Sequence, residues 1–131
     1  MNFQAEFIKK AKYFLGEDLD EKIITDGHSK LISDYVLLME KGIGTVKNHN
    51  FKIGAGHIYS RVNIDGIEFY TKVNNENNTI EVTKTINGEV TSLDTIVVQD
   101  GELFALGRNE KFTTVILEDY LRETFGEKLG L

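Results

Sequence analysis

Residues 57–107 read HIYSRVNIDGIEFYTKVNNENNTIEVTKTINGEVTSLDTIVVQDGELFALG, and this stretch decides the fold. Residues with β preference recur in five runs: 57–64, 67–73, 79–86, 89–98 and 102–107. Between them stand Asp65-Gly66, Asn87-Gly88 and Asp100-Gly101. Each pair tolerates the positive φ that a two-residue type I′ hairpin requires. The fourth junction, Asn74 to Asn78, is a longer polar loop. Consecutive hairpins make an antiparallel meander rather than a parallel sheet.

The turns also set the pairing. A two-residue turn at Asp65-Gly66 puts Ile64 opposite Ile67, Val62 opposite Phe69, Ser60 opposite Thr71 and Ile58 opposite Val73. The same rule at Asn87-Gly88 puts Val82 opposite Leu93. At Asp100-Gly101 it puts Val97 opposite Phe104 and Thr95 opposite Leu106. One face then carries Ile58, Val62, Ile64, Ile67, Phe69, Val73, Ile80, Val82, Leu93, Val97, Phe104 and Leu106. Such a face needs a cover, and the flanking segments supply helices for it.

Upstream, Phe3, Phe7, Ala11 and Phe14 form a helical stripe flanked by Ile8 and Leu15. Asn2 suits the N-cap and Gly16 the left-handed C-terminal position. The aromatic stripe suits either a binding face or core, and core is the plainer reading. A second helical pattern starts near Asp18 and runs to Gly42, with Asp26-Gly27 predicting a kink or two shorter helices. Downstream, Phe112 and Leu117 bracket Thr113 as a hydrophobic staple, and a helix follows from about Thr114. The expected architecture is a single α+β domain over 1–131. Residues 1–42 are helical, 43–56 form a connector, 57–107 form a five-stranded antiparallel β-meander, and 113–128 form a C-terminal helix packed on one sheet face.

Composition narrows the chemistry. The chain has 131 residues and contains no Cys and no Pro. Disulfides, thiol catalysis and Cys-ligated metals are therefore excluded. Without proline, turns fall to Gly and Asn. No apolar run approaches the ~18 residues of a membrane span, and the N-terminus lacks a secretory layout, so a cytoplasmic protein without a membrane role is expected. The net charge of −6 is spread evenly along the chain and disfavours generic duplex DNA binding. One stretch departs from this balance. From Lys41 to Ile64 there is no Asp or Glu, while Lys41, Lys47, Lys52, Arg61, His49 and His57 are present. That is either chance in a connector or a small anion-attracting surface.

No catalytic constellation emerges. The histidines, His28, His49 and His57, lack zinc-ligand spacing, and no serine sits in a nucleophile elbow. Ser29 beside His28 is an adjacency and not a triad, because triad partners must meet in space. Gly54-Ala55-Gly56 lacks the third glycine and the βαβ context of a dinucleotide loop and reads as a bend or bulge. No catalytic residue, metal or cofactor is assigned.

Two surfaces remain. On the pairing above, Ile96, Val98 and Leu103 fall on the face that should be wet. They mark a corner covered either by the C-terminal helix or by a partner, an unknown protein or a second copy. At the opposite corner, Tyr59 lies opposite Lys72 and Arg61 opposite Tyr70. Aromatics with basic neighbours on an open sheet can bind single-stranded nucleic acid or another anionic ligand. Ordinary cross-strand pairs share the same pattern.

Lys41-Gly-Ile-Gly-Thr-Val-Lys-Asn and Leu117-Glu-Asp-Tyr-Leu-Arg-Glu-Thr-Phe resemble small uncharacterised proteins of Gram-positive bacteria and their prophages. The resemblance covers the whole chain and implies a cytoplasmic protein with no known activity and no functional residues to transfer. The favoured expectation is a non-enzymatic protein-interaction or regulatory module acting on an unknown partner or as a homodimer. The alternative is an anionic-ligand or single-strand binder acting through Tyr59, Arg61, Tyr70 and Lys72.

Overall fold

Three turn pairs take up left-handed backbone: Asp65 and Gly66 at φ 52° and 82°, Asn87 and Gly88 at 55° and 79°, and Asp100 and Gly101 at 55° and 76°. These are the hairpin turns expected from their residues. The computed structural model describes residues 2–15 and 19–131. Its sheet has seven antiparallel strands in sequential order. They are β1 (Phe51–Ala55), β2 (Tyr59–Ile64), β3 (Ile67–Asn74), β4 (Thr79–Ile86), β5 (Glu89–Gln99), β6 (Glu102–Ala105) and β7 (Glu110–Lys111). The α+β class holds, and the count of five strands is corrected. The expected connector contains β1, which pairs Ile53 with Val62 and Ala55 with Ser60. β7 is a two-residue addition beside β6.

The helices are α1 (Phe3–Phe14), α2 (Leu19–Gly27) and α3 (Asp34–Ile43), with a wider π-helical segment at His28–Ser33 joining α2 to α3, and α4 (Thr114–Leu129). Asn2 caps α1, its side chain accepting from the Gln4 amide at 2.8 Å. The suggested C-terminal role of Gly16 and the helix start at Asp18 lie outside the described residues. Instead of breaking at Asp26-Gly27, the chain passes into the π-helical segment. Gly27 lets Leu103 pack close there: a Cβ would lie 2.5 Å from Leu103 Cδ1, and that side chain would have to shift. Helix α4 ends at Gly130, which adopts the left-handed conformation at φ 73°.

The hairpin register holds for β2 and β3: Ile64 faces Ile67, Val62 faces Phe69 and Arg61 faces Tyr70. It fails in β5. Thr83 pairs with Ser92, but Val82 pairs with Asp94, so Leu93 is the extra residue of a β-bulge. A one-residue shift exchanges the faces of everything beyond it. Ile96 and Leu103 therefore turn inward, at 0% and 6% exposure, and Val98 packs against the same core. The assignment of Ile96, Val98 and Leu103 to an open, partner-facing corner is corrected. Helix α2 covers strands β5 and β6. Val97 and Phe104 are half-buried, and Leu106 is exposed, instead of lining the covered face. Ile58 also lies outside the core, half-exposed ahead of β2.

The core sits between one sheet face and the helices. Val62, Phe69, Ile80, Val82 and Ile96 meet Ile24, Ile32 and Val36 from the N-terminal helices and Leu117, Tyr120 and Phe125 from α4. Fully burying each of these large side chains contributes ~1.5–3 kcal/mol.

Candidate functional site

The basic corner forms as the hairpin rule requires. Tyr59 pairs with Lys72, and Arg61 pairs with Tyr70, on the face opposite the helices. The Arg61 guanidinium lies 5.4 Å from the Tyr70 ring centroid. Its charge is also met by Glu68, whose carboxylate is 2.9 Å from Arg61 Nε. Lys72 stands directly across from Glu81 on β4. Sequence reading of this corner left Glu68 out, although it shares the face of Tyr70 and Lys72 by strict alternation.

Part of the acid-free stretch does converge. Lys41, Lys52, Tyr59 and Arg61 border an open groove of about 540 Å³ along β1, with Glu40 also on its wall. With Arg61 ion-paired and acids within the same surface, a phosphate backbone meets little uncompensated charge. Fluorescence anisotropy with short labelled DNA and RNA at low salt is expected to show no saturable binding at micromolar protein. Saturable binding lost in Tyr70→Ala would reverse this. His49 and His57 do not meet: His49 packs against the Phe51 ring, and His57 Nδ1 lies 3.1 Å from Ser29 Oγ. Among the described residues no group of acidic or histidine side chains is arranged to hold a metal ion.

Two buried polar networks escaped the sequence reading. In the first, Ser33 Oγ donates to the Gly56 carbonyl at 2.6 Å and lies 3.2 Å from His28 Nδ1. His28 Nε2 lies 2.8 Å from Thr71 Oγ1, which in turn contacts Ser60 Oγ. With the Ser33 proton committed to Gly56, a consistent arrangement runs one way through a neutral ring, from Ser60 to Thr71 to His28 to Ser33. Burial lowers the His28 pKa to about 4, opposed by the weaker pull of the His57 backbone carbonyl. The His28 ring and Ser33 are both buried. The His28–Thr71 bond ties the β2–β3 hairpin to the π-helical segment. The signal was hidden because His28 and Ser33 are five apart, a spacing that meets across a π turn and not across an α turn.

The second network follows from the bulge. Asp94, turned inward, accepts from the Thr95 and Gly107 amides at 2.7 and 2.6 Å and from the Tyr120 hydroxyl at 2.5 Å. The Arg108 guanidinium lies 5.1 Å from the Tyr120 ring centroid and pairs bidentately with Glu123. The Tyr120 pKa is raised well above its usual value, first by burial and then by the Asp94 carboxylate. Gly107 must lack a side chain, since a Cβ would lie 2.8 Å from Asp94 Oδ1. The Tyr120–Asp94 bond ties α4 to β5, and the Gly107 amide ties the turn after β6 to the same carboxylate.

Helix α1 behaves differently from the rest of the chain. None of its residues is buried. Phe3, Phe7 and Phe14 are 76%, 62% and 88% exposed. Reading the aromatic stripe as core is corrected: it is open surface. On a helix turning ~100° per residue, Lys10 and Lys12 border the apolar arc, and Lys9 lies behind it.

Among the described residues no helix is long and apolar enough to cross a membrane. Compared with known proteins, residues 5–129 match the model of a family described as Protein of unknown function (DUF3942). No curated protein and no solved structure matches the chain.

Proposed function

We propose that this chain, which belongs to the DUF3942 family, is a small non-enzymatic protein-interaction module whose contact element is α1. The observation that carries this reading is a well-capped amphipathic helix whose whole aromatic face is exposed. Isolated contiguous apolar surface of this kind marks interaction sites in folded proteins. A 12-residue helix is also marginal by itself in water, so a docked face is what would stabilise it. The non-enzymatic part of the reading draws on the two polar networks. In each, the hydroxyls, the ring or the carboxylate are enclosed and bonded to the chain itself.

The test asks whether the α1 face belongs to the fold. At a concentration where the parent is monomeric, a double variant, Phe7→Asp with Phe14→Asp, is expected to melt within about 2 °C of the parent, because side chains outside the core contribute within ±0.5 kcal/mol. A fall above about 8 °C would show that the aromatic face is interior packing, and the reading would fail.

A further inference from the structure

Strand β1 ends the sheet, with β2 on one side and, among the described residues, no strand on the other. The register decides which of its backbone groups are left over. The Asp65 amide donates to the Asn50 carbonyl at 3.0 Å, and the Gly56 amide to the Tyr59 carbonyl at 2.9 Å. In an antiparallel pair every second residue makes such bonds. Lys52 and Gly54 therefore bond toward β2, while Phe51, Ile53 and Ala55 direct their N–H and C=O groups away from it. The five residues make an open ladder of ~17 Å at ~3.4 Å per residue. This edge is recessed. It forms the floor of the groove of about 540 Å³, between Glu40 and Lys41 of α3 and Tyr59 and Arg61 of β2. Tyr59 reaches across β1 on the outer side, its hydroxyl 3.8 Å from the place a Gly54 Cβ would take.

We propose that the β1 edge takes up an extended segment of a partner protein as an added antiparallel strand, one that alternates apolar and acidic residues. This surface is separate from α1 and does not depend on it. Main-chain bonds to Phe51, Ile53 and Ala55 supply the affinity, and alternate side chains supply the choice of sequence. Side chains of the added strand on the helix side meet Phe51 and Ile53, and Ile53 already packs against the core. Those on the outer side meet Lys52, Tyr59 and Arg61. Arg61 is held by Glu68, but among the described residues no carboxylate pairs with Lys52 or Lys41. Lys52 guards the edge against indiscriminate pairing and favours a strand with a carboxylate opposite it. Charges beyond the ~8 Å screening length count for little, so the outer wall and not the net −6 sets this match. A second copy is the poorer occupant, because it would bring its own Lys41, Lys52 and Arg61 against the same three.

The experiment titrates the full chain with a fluorescein-labelled peptide of alternating valine and glutamate, about eight residues long to span the edge. Saturable binding is expected below ~300 µM, and a valine–lysine peptide should bind at least tenfold more weakly. On an antiparallel added strand the residues facing Phe51, Ile53 and Ala55 are the valines, and their amides point at β1. N-methylating the valines should therefore weaken binding at least tenfold, and N-methylating the glutamates should leave it within about threefold. Amide exchange followed by NMR gives the matching signature on the protein. Phe51, Ile53 and Ala55 should slow at least tenfold on saturation, while Lys52 and Gly54, already bonded to β2, change little. Lys52→Glu, which is exposed and should leave the melting temperature unchanged, is expected to reverse the preference between the two peptides. No saturable binding of the valine–glutamate peptide overturns the proposal. So does binding that leaves those three amides unprotected, that responds alike to both methylations, or that keeps its preference in Lys52→Glu. Sedimentation of the chain alone covers the remaining occupant: a dimer that protects the same three amides would give the edge to a second copy and overturn the choice of partner.

Discussion

Replacing Asp94 by Ala lowers the stability of the folded chain by ~3–5 kcal/mol, the cost of breaking a buried, charge-assisted network. The carboxylate accepts from two amides and the Tyr120 hydroxyl, and all three donors lose their partner at once. The Arg108 guanidinium, 3.9 Å from Asp94 Oδ2, loses that carboxylate and keeps Glu123 and the Tyr120 ring. Against a total stability of ~5–15 kcal/mol this is a large share, and the melting temperature should fall by roughly 10–20 °C. Urea unfolding of the variant and the parent measures the difference. Gly107→Ala should move in the same direction, because its methyl would occupy the space of Asp94 Oδ1. A loss below about 1 kcal/mol in Asp94→Ala would mean that water replaces the network and that its geometry is incidental.

Acidification produces the second large effect, through His28. Its folded pKa of about 4 lies below the ordinary value of 6.5, so the folded ring stays neutral while the unfolded ring takes up a proton. Between those values the unfolded state binds more protons, and stability must fall as pH falls. The contribution is fully present above the unfolded value. It is lost at up to ~1.4 kcal/mol per pH unit, and by about pH 4.5 the loss is ~2–3 kcal/mol. Carboxylates such as Asp65, whose pKa is lowered by Lys128, act in a more acidic window and in the same direction. The comparison that isolates His28 is the pH slope of urea stability in His28→Gln, whatever its absolute cost. An equal slope in parent and variant between about pH 7 and 5 would remove His28 as the cause.

Both effects come from residues whose importance the linear sequence concealed. His28 reads as a lone histidine beside Ser29, yet its ring bonds to Thr71, 43 positions away, and to Ser33 across a π turn. The pairing that puts Leu93 opposite Val82 would leave its neighbour Asp94 on the other face, and one bulged residue reverses that. Local patterns cannot announce a bulge at Leu93, because Thr-Ser-Leu-Asp-Thr holds a single apolar residue and so has no alternation for a bulge to interrupt. The bulge is chosen by the interior, where the shift seats Ile96 and Leu103 in the core and gives Asp94 its donors.

What the residues determined by themselves was short-range. Asp-Gly and Asn-Gly turns admit positive φ, so three hairpins and their antiparallel order follow from turn chemistry alone. The pairing of Tyr59 with Lys72 and of Arg61 with Tyr70 follows from counting outward from one such turn. Asn2 could be recognised as a cap because its donors lie within one helical turn. Only the tertiary structure decided which faces are wet beyond Leu93, that β1 joins the sheet, and that the aromatic side of α1 stays outside. The periodicity of Phe3, Phe7 and Phe14 states that an apolar stripe exists and is silent on what covers it, since burial belongs to the pair of surfaces that meet and not to either stripe.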